Sequence, residues 1–479
     1  MKDCNNLTLL TDLYQLTMMN GYLQCGKADE LATFDLFYRK NGKDFAVAAG
    51  LEQAIEYINN LRFTEKDIAY LASLNLFPDN FFDNLRSFKF TGSIRAVQEG
   101  EIVFPQEPLL TVTARLFEAQ LIETALLYIL NHQTLIATKA FRIVSEARGA
   151  VAEFGLRRAQ GPDAGLYGAR AAMIAGCAAT SNVLAGQEFG VKVTGTHAHS
   201  WVMSFDNELD AFMAYADAYP NSCLLLVDTY DTLKSGIPNA IKVFDRLVEK
   251  GHTPVGIRLD SGDLAYLSKK AREMLDNAGH NNVKIYASGD IDEEILRSLH
   301  LQGARIDVWG IGTKLITSYD NPSLGGVYKM SATYSSGVEM PKMKVSDAID
   351  KITNPGNKTT YRIYDEQGFA AADLIALRSE HFDISRPLTI FHPIETYKKK
   401  TFEAYSMRDL MVDIFKDGKQ VYFSPPLGQI AEYHKKVKAE FYEENIRITN
   451  PHIYKVDLSD GLYELKNRLI YQASQNIKK

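Results

Sequence analysis

VGIRLDSGDLAYLSKKAREML, residues 255–275, holds one complete unit of the fold. An apolar run (VGIRL) passes into a polar turn (DSGD). The turn opens a stretch in which Leu264, Leu267, Ala271 and Met274 recur on one helical face. The pattern repeats on both sides. Apolar runs stand at 191–194 (VKVT), 224–227 (LLLV), 283–287 (VKIYA) and 306–311 (IDVWGI), and Ile241, Phe244, Leu247 and Val248 share a helical face between two of them. Successive runs start roughly 25 to 33 residues apart, the length of one strand–helix unit. Five such units predict parallel strands, either in a doubly wound sheet or in a (β/α) barrel.

The polar residues choose between the two. Every run ends in a polar segment: TGTHAHS from 194, VDTYD from 227, RLDSGD from 258, ASGD from 287 and GIGT from 310. An open sheet concentrates function at one switch point, whereas a barrel uses the C-terminal ends of many strands. The expected fold is therefore α/β, a (β/α) TIM-like barrel.

Outward from this core the pattern changes. Ala32–Tyr38 alternates as a strand, and Gly92–Val112 reads as short strands broken by Gly100, Pro105 and Pro108. Leu116–Ala147 reads as one helix with Leu121, Leu126, Ile129 and Leu130 on its apolar side. Beyond Gly326 the regularity fades; a turn at NPGNK (354–358), a strand at Thr360–Tyr364 and a helix over 427–442 stand out. These shifts predict an N-terminal α/β domain at 1–115, a barrel at 116–340 and a C-terminal extension at 341–479, packed on the other two.

Composition narrows the function. The 479 residues carry 53 Lys+Arg against 59 Asp+Glu, net charge −6, with 46% hydrophobic residues. That mix excludes a disordered, collagen-like or coiled-coil chain, and its mild acidity argues against nucleic acid as the main partner. Four cysteines without a CxxC pair or zinc-finger histidines argue against disulfides and structural zinc, so reduced thiols in the cytoplasm are expected. Asp3, Asn5 and Asn6 make the start too polar for a signal peptide. The apolar stretch 116–140 is interrupted by Glu118, Glu123, Asn131 and His132, which suits a buried helix and no membrane span.

Several groups carry chemistry, each with a plainer alternative. His197 and His199, two apart at a strand end, offer an acid/base or nucleophilic imidazole, or simply a pair hydrogen-bonded in a turn. Arg258 and Asp260 alternate with strand period; together they suit a phosphate, a cationic centre or a hydrated magnesium ion. Asp263 has the look of a helix N-cap. Gly289 and Gly312 lie in strand-to-helix turns whose amides can approach phosphate, although such glycines are common and Asp290 suits a helix cap. In EFGLRRAQGPDAG, Phe154 can stack on a planar ring and Arg157 or Arg158 can fork onto phosphate, or both can be ordinary core and surface. Tyr14 lies on an N-capped helix with core packing as its default.

Read together, TDLYQLTM (11–18), EGEIVFPQEPLL (99–110), FGLRRAQGPD, TSNVLAG (180–186), GTHAHSW, VDTYD, IRLDSGD and GIGTKL resemble the nicotinate phosphoribosyltransferase family over most of the chain. The resemblance implies a type II phosphoribosyltransferase fold, an irregular (β/α) barrel with an N-terminal α/β domain and a C-terminal extension. It also implies transfer of 5-phosphoribose from phosphoribosyl pyrophosphate to nicotinate, with Mg2+, and with ATP hydrolysed through a phosphohistidine. That histidine aligns with His199. The same carry-over puts Phe154 on one face of the pyridine ring and Tyr14 of a partner subunit on the other, hence a homodimer with shared sites. Arg157 and Arg258 fall on phosphates or the carboxylate, Asp260 near ribose and metal, Gly289 and Asp290 beside the ribose, and Gly312 and Thr313 on the 5-phosphate. Lys344 and Lys358 match residues that reach phosphates across the dimer. Nicotinamide-using relatives carry an Asp in the segment where this chain has Ala179, Thr180, Ser181 and Asn182; an acid there repels a carboxylate, and the hydroxyls of Thr180 and Ser181 accept it. The rival readings are a nicotinamide phosphoribosyltransferase, a metal-dependent lyase or hydrolase ligating through Asp228, Asp231, Asp260 and Asp263, and a non-catalytic sensor.

Overall fold

The computed structural model describes residues 6–39, 45–346, 351–395 and 397–477, so Asp3, Cys4 and Asn5 lie outside the described residues. The chain forms two compact units, one from 1–135 with 323–479 and one from 136–322. The division falls inside the helix Glu123–Glu146 and returns before the strand Gly326–Ser335, so both ends of the chain share one unit.

In the first unit a seven-stranded antiparallel sheet runs in the order Val338–Pro341, Gly326–Ser335, Leu31–Tyr38, Leu110–Arg115, Ser93–Val97, Met411–Lys416, Lys419–Gln420. Strand alternation sends Phe34, Leu36, Ile94, Ala96, Val112 and Ala114 into a large apolar core with the helices. The opposite face carries Thr33, Asp35, Ser93, Arg95, Thr111 and Thr113, paired across strands as Thr33 with Thr113 and Arg95 with Thr111. A second, mixed six-stranded sheet contains Lys358–Tyr364 and Ala370–Leu377. Buried polar groups must find partners. Lys358 Nζ accordingly lies 2.7 Å from Asp35, and Arg95 reaches Thr359 at 3.0 Å and Asp409 at 2.8 Å.

The second unit is a parallel six-stranded sheet ordered Ala179–Thr180, Ala150–Glu153, Val308–Ile311, Lys284–Gly289, Gly256–Leu259, Leu224–Leu226. The last strand in the chain pairs with the first, which is the strand order of an opened ring. Of the irregular (β/α) TIM-like barrel expected from the sequence, the α/β class and the parallel strands are present, but among the described residues the strands form a half-barrel and not a full TIM barrel. The VKVT run forms no strand: one parallel bridge joins Val193 to Thr180, and no ladder links this segment to Leu224–Leu226. Side chains span that opening instead. The Thr196 hydroxyl donates to the Leu224 carbonyl, and the Leu226 N–H donates to His197 Nε2 at 3.2 Å. The other four runs are strands within two residues of their expected ends.

The helices between these strands form where the apolar periodicity predicts, but their buried faces are turned from the expected ones. Ile237–Glu249 buries Ile237, Ala240, Val243, Phe244 and Leu247, while Ile241 is half-buried and Val248 is exposed. Leu264–Asn277 buries Ala265, Ser268, Ala271 and Leu275, with Leu264, Leu267 and Met274 half-buried beside them. Leu264–Asn277 starts at Asp263, whose carboxylate accepts the Tyr266 N–H at 2.9 Å, so Asp263 is the cap its position suggested. Leu116–Ala147 divides into Leu116–Leu121 and Glu123–Glu146. Among the described residues no helix is long and apolar enough to cross a membrane.

Candidate active site

The C-terminal edge of the parallel sheet gathers most of the singled-out residues. Phe154 follows the strand Ala150–Glu153, and its N–H donates to Ile311 O at 2.8 Å. A side chain at position 310 would put its Cβ 2.7 Å from the Phe154 ring, so Gly310 is what leaves the ring its place. Gly312 plays the same part for the backbone: a Cβ there would sit 3.0 Å from Phe154 O.

Beside the ring lies a cavity of about 200 Å³ lined by Phe154, Arg258, Tyr286, Ser288, Thr194 and Thr196, among others. Arg258 enters it from Gly256–Leu259. Its Nε is buried and has no hydrogen-bond partner among the described residues. Burial pulls its affinity for the proton below the ordinary arginine range; Asp260 and Asp228 oppose that, and the charge of Arg157, exposed on the turn Leu156–Arg158, adds to it. Two mutually repelling guanidinium groups, one of them unsatisfied, call for an anion.

Asp228 holds the next turn in place. Its Oδ2 accepts the Asp260 N–H and the Ser261 hydroxyl, both at 2.8 Å, while Oδ1 is buried with no partner among the described residues. Asp260 Oδ1 accepts the Ser288 hydroxyl, and Oδ2 lies 3.8 Å from His199 Nε2. His199 Nδ1 is 3.1 Å from Thr229 Oγ1, so a hydroxyl and a carboxylate orient the half-buried imidazole.

The two histidines have different jobs. His197 is 8% exposed, accepts the Leu226 N–H and packs edge-on against Tyr215. Burial pushes its pKa down to about 4 from 6.5. The neutral ring is thus the native form, and its stabilising contribution is complete above about pH 6.5 and disappears as pH falls towards 4. The unfolded chain binds that proton first, so the shift corresponds to about 3 kcal/mol by pH 4. His197→Gln is expected to flatten the slope of unfolding free energy between pH 6.5 and 4 by up to one proton; an unchanged slope in urea titrations across that range would count against this role.

Glu153, which the sequence reading passed over, is wholly buried next to Phe154. Its Oε2 accepts the Thr180 hydroxyl at 2.7 Å and its Oε1 the Gly155 N–H; burial raises its pKa, and these two bonds hold it back. Thr180 also accepts the Asn182 N–H at 3.0 Å, and Asn182 caps the helix Val183–Phe189. The Ser181 hydroxyl makes no hydrogen bond among the described residues, although the Ser181 N–H is tied to Glu153 O at 2.9 Å. Gly289 has φ +132°, a conformation that glycine reaches without strain. Asp290 is exposed, and Asp292 caps the following helix. Thr313 opens the short helix Thr313–Ile316.

Tyr14 and Lys344 belong to the first unit. Tyr14 stands half exposed on Leu13–Gln24, its phenol pushed up to about 12 by burial and by Glu123 and Asp12. The Lys344 N–H donates to Thr353 Oγ1 at 3.1 Å, and Lys358, buried on Asp35, is committed to that carboxylate. Among the described residues no three His, Cys, Asp or Glu side chains group as metal ligands, and Asp231 and Asp263 are occupied in capping helices. A site built on those four aspartates is therefore not assembled.

Three family models match the chain: the nicotinate phosphoribosyltransferase (NAPRTase) N-terminal domain over residues 9–131, the NAPRTase family over 150–370 and the C-terminal domain over 357–466. The nicotinate phosphoribosyltransferase of Bacillus subtilis (strain 168) is 46% identical over 99% of this chain and 97% of its own length. That of Homo sapiens is 34% identical over 96% of each. The crystal structure of human nicotinic acid phosphoribosyltransferase superposes with a TM-score of 0.85 at 32% identity, covering 96% of this chain and all of that one. A nicotinate-nucleotide pyrophosphorylase from Pyrococcus furiosus shares the fold, with a TM-score of 0.70 at 20% identity over 92% of this chain and 97% of that one. With near-complete coverage at this identity, and with the quoted motifs of the second unit gathered on one edge of its parallel sheet, the chain belongs to the nicotinate phosphoribosyltransferase family.

Proposed function

We propose that the chain transfers 5-phosphoribose from phosphoribosyl pyrophosphate to the ring nitrogen of nicotinate, the first step of NAD salvage from that base, in the cytoplasm. The observation that carries this reading is the unsatisfied Arg258 guanidinium in a ring-sized cavity beside Phe154. Stacking on Phe154 fixes the pyridine so that its nitrogen faces the sugar. That nitrogen attacks C1 of the ribose, the bond from C1 to the pyrophosphate oxygen breaks, and its electron pair leaves with pyrophosphate. C1 is cationic and the leaving group anionic at the transition state, so Arg258, Arg157 and the Asp260 carboxylate stabilise opposite charges in place. The turns at Gly289–Asp290 and Gly312–Thr313 receive the ribose and the 5-phosphate.

The discrimination for nicotinate follows from what the 179–182 segment lacks. No acid stands there, Thr180 is tied to Glu153, and the Ser181 hydroxyl remains to donate to a carboxylate. Asp260 with the free Oδ1 of Asp228 is too small a donor set for a resident metal and suits Mg2+ arriving on pyrophosphate with most of its waters. Held there by Asp260 and Asp228, the ion would supply charge neutralisation to the leaving group.

ATP coupling rests on His199. Thr229 holds Nδ1, leaving Nε2 to attack the γ-phosphorus of ATP; ADP departs, and the phosphoryl group goes on to water once transfer is complete. Tyr14 and Lys344 complete the site from the partner subunit of a homodimer, and the parallel sheet is an opened form of the (β/α) barrel.

Chromatography of products from phosphoribosyl pyrophosphate, Mg2+ and either base, with and without ATP, tests the reading. Nicotinate mononucleotide forms in preference, and ATP increases it with ADP released. A nicotinamide preference would overturn the reading of residues 179–182, and no nucleotide from either base would overturn the transferase. His199→Ala is expected to keep slow transfer and lose the ATP effect. Label from γ-32P-ATP still bound to that variant would remove His199 from the relay.

A further inference from the structure

The first unit contains a second built cavity, made by the polar face of its seven-stranded sheet. Alternation sends Ile94, Ala96 and Val112 into the apolar core, which leaves Ser93, Arg95, Thr111 and Thr113 on the other side. Met411–Lys416 adds two charges to that side. Asp413 and Lys416 are three residues apart and would normally face opposite ways; the register shift between Asp413 and Phe415 brings them to one face. Asn357 and Arg378, from the covering sheet, complete the lining. The cavity measures about 190 Å³, space for roughly six waters at ~30 Å³ each.

Its charge is unbalanced. Arg95, Arg378 and Lys416 face one lining carboxylate, Asp413. Asp409 lies close by but is already taken by Arg95 and the Thr359 hydroxyl. Burial works against ionised Asp413, yet Lys416, Arg95 and Arg378 together hold its carboxyl below the ordinary range. Donors remain unspent. Arg95 Nε is buried without a hydrogen bond among the described residues, although Asp413 Oδ1 is 3.3 Å away. Arg378, 51% exposed, makes one ion contact with its guanidinium, at 3.9 Å to Asp413. Three cations and an amide around a partly open pocket match a tetrahedral dianion better than a neutral or cationic guest.

We propose that this cavity binds a phosphate group, free or as a small phosphomonoester, through Arg378, Lys416 and Arg95. All of its lining residues lie in the first unit, whereas Phe154, His199, Arg258 and Asp260 lie in the second. Arg378 forks onto two oxygens, Lys416 shifts from Asp413 to a third, and the Asn357 side-chain amide completes the shell, while the Thr113 and Ser93 hydroxyls stay with Thr33 and Asp417.

Calorimetric titration of the full chain with inorganic phosphate, and separately with glycerol 3-phosphate, tests the site. The parent is expected to show a phosphate-binding component that persists in Arg258→Gln, whatever the catalytic site binds besides; in the Arg258→Gln background Arg378→Gln weakens that component at least tenfold and Arg378→Lys, which keeps charge but not the fork, less. Because Arg378 is half exposed, thermal midpoints of the ligand-free variants should match the parent, and kcat/KM for nicotinate without added phosphate should be unchanged in Arg378→Gln. Whichever of the two ligands binds more tightly identifies the source of the phosphate group. Binding unaltered by Arg378→Gln, binding abolished by Arg258→Gln, or no binding of either ligand at millimolar concentration would each overturn the proposal.

Discussion

Arg258→Ala is expected to lower kcat for nicotinate mononucleotide formation by about 10²–10³, the cost of deleting one preorganised donor to developing charge. The arginine is half-buried and one of its nitrogens has no protein partner, so removing it strands little. Asp260 and Asp228 keep their bonds to Ser288, Ser261 and the Asp260 N–H. Stability should accordingly stay close to that of the parent, and circular dichroism melting with steady-state kinetics on the same preparation separates the two quantities. Near-normal turnover in a folded variant would remove Arg258 from the transition state; loss of folding would make it a structural residue.

The largest expected effect on stability lies in the first unit. Arg362 is wholly buried, sends two nitrogens to Asp373 at 2.9 and 2.7 Å and a third to Glu101, and lies 4.6 Å above the Phe441 ring. Burial alone disfavours its charge, but Asp373 and Glu101 more than offset that. Burial and Asp373 drive the neighbouring Glu107 carboxyl well above the ordinary range. Arg362→Met leaves Asp373 and Glu101 without this cation in a dry core, and Arg408 alone remains, 3.0 Å from Glu101. Removal of one partner from such a pair costs about 3–5 kcal/mol, whereas replacing all charged members with apolar side chains is close to neutral. Guanidinium unfolding should show a clearly lower midpoint for Arg362→Met, with partial recovery when Asp373→Leu is added. Equal midpoints for the parent and the single variant would show that solvent reaches this cluster.

The sequence made the parallel strands legible because their runs are apolar on both faces and the turns after them are polar. It failed at VKVT, where local pattern predicts a strand but only Thr180 offers a backbone partner. It passed over Ala150–Glu153 and Glu153 itself, because a four-residue strand ending in an acid looks like a loop until Thr180 and the Gly155 N–H converge on the carboxylate. His197 and His199 looked equivalent by spacing. Burial made one a neutral acceptor for a backbone N–H, and partial exposure left the other between Thr229 and Asp260.

By itself, the sequence determined the α/β class, the chemistry offered at each strand end and membership in the family, since these depend on residue type, period and order along the chain. Tertiary structure alone decided which side chains are satisfied and which remain open. Thr180 and Lys358 are bound within the protein, Asp228 is bound through one oxygen and open at the other, Arg258 and Ser181 keep free donors, and a bulge in one strand brings Lys416 to the face that carries Arg95. The reason is physical: hydrogen bonding and desolvation depend on neighbours brought together from distant parts of the chain, and no local window of sequence contains them.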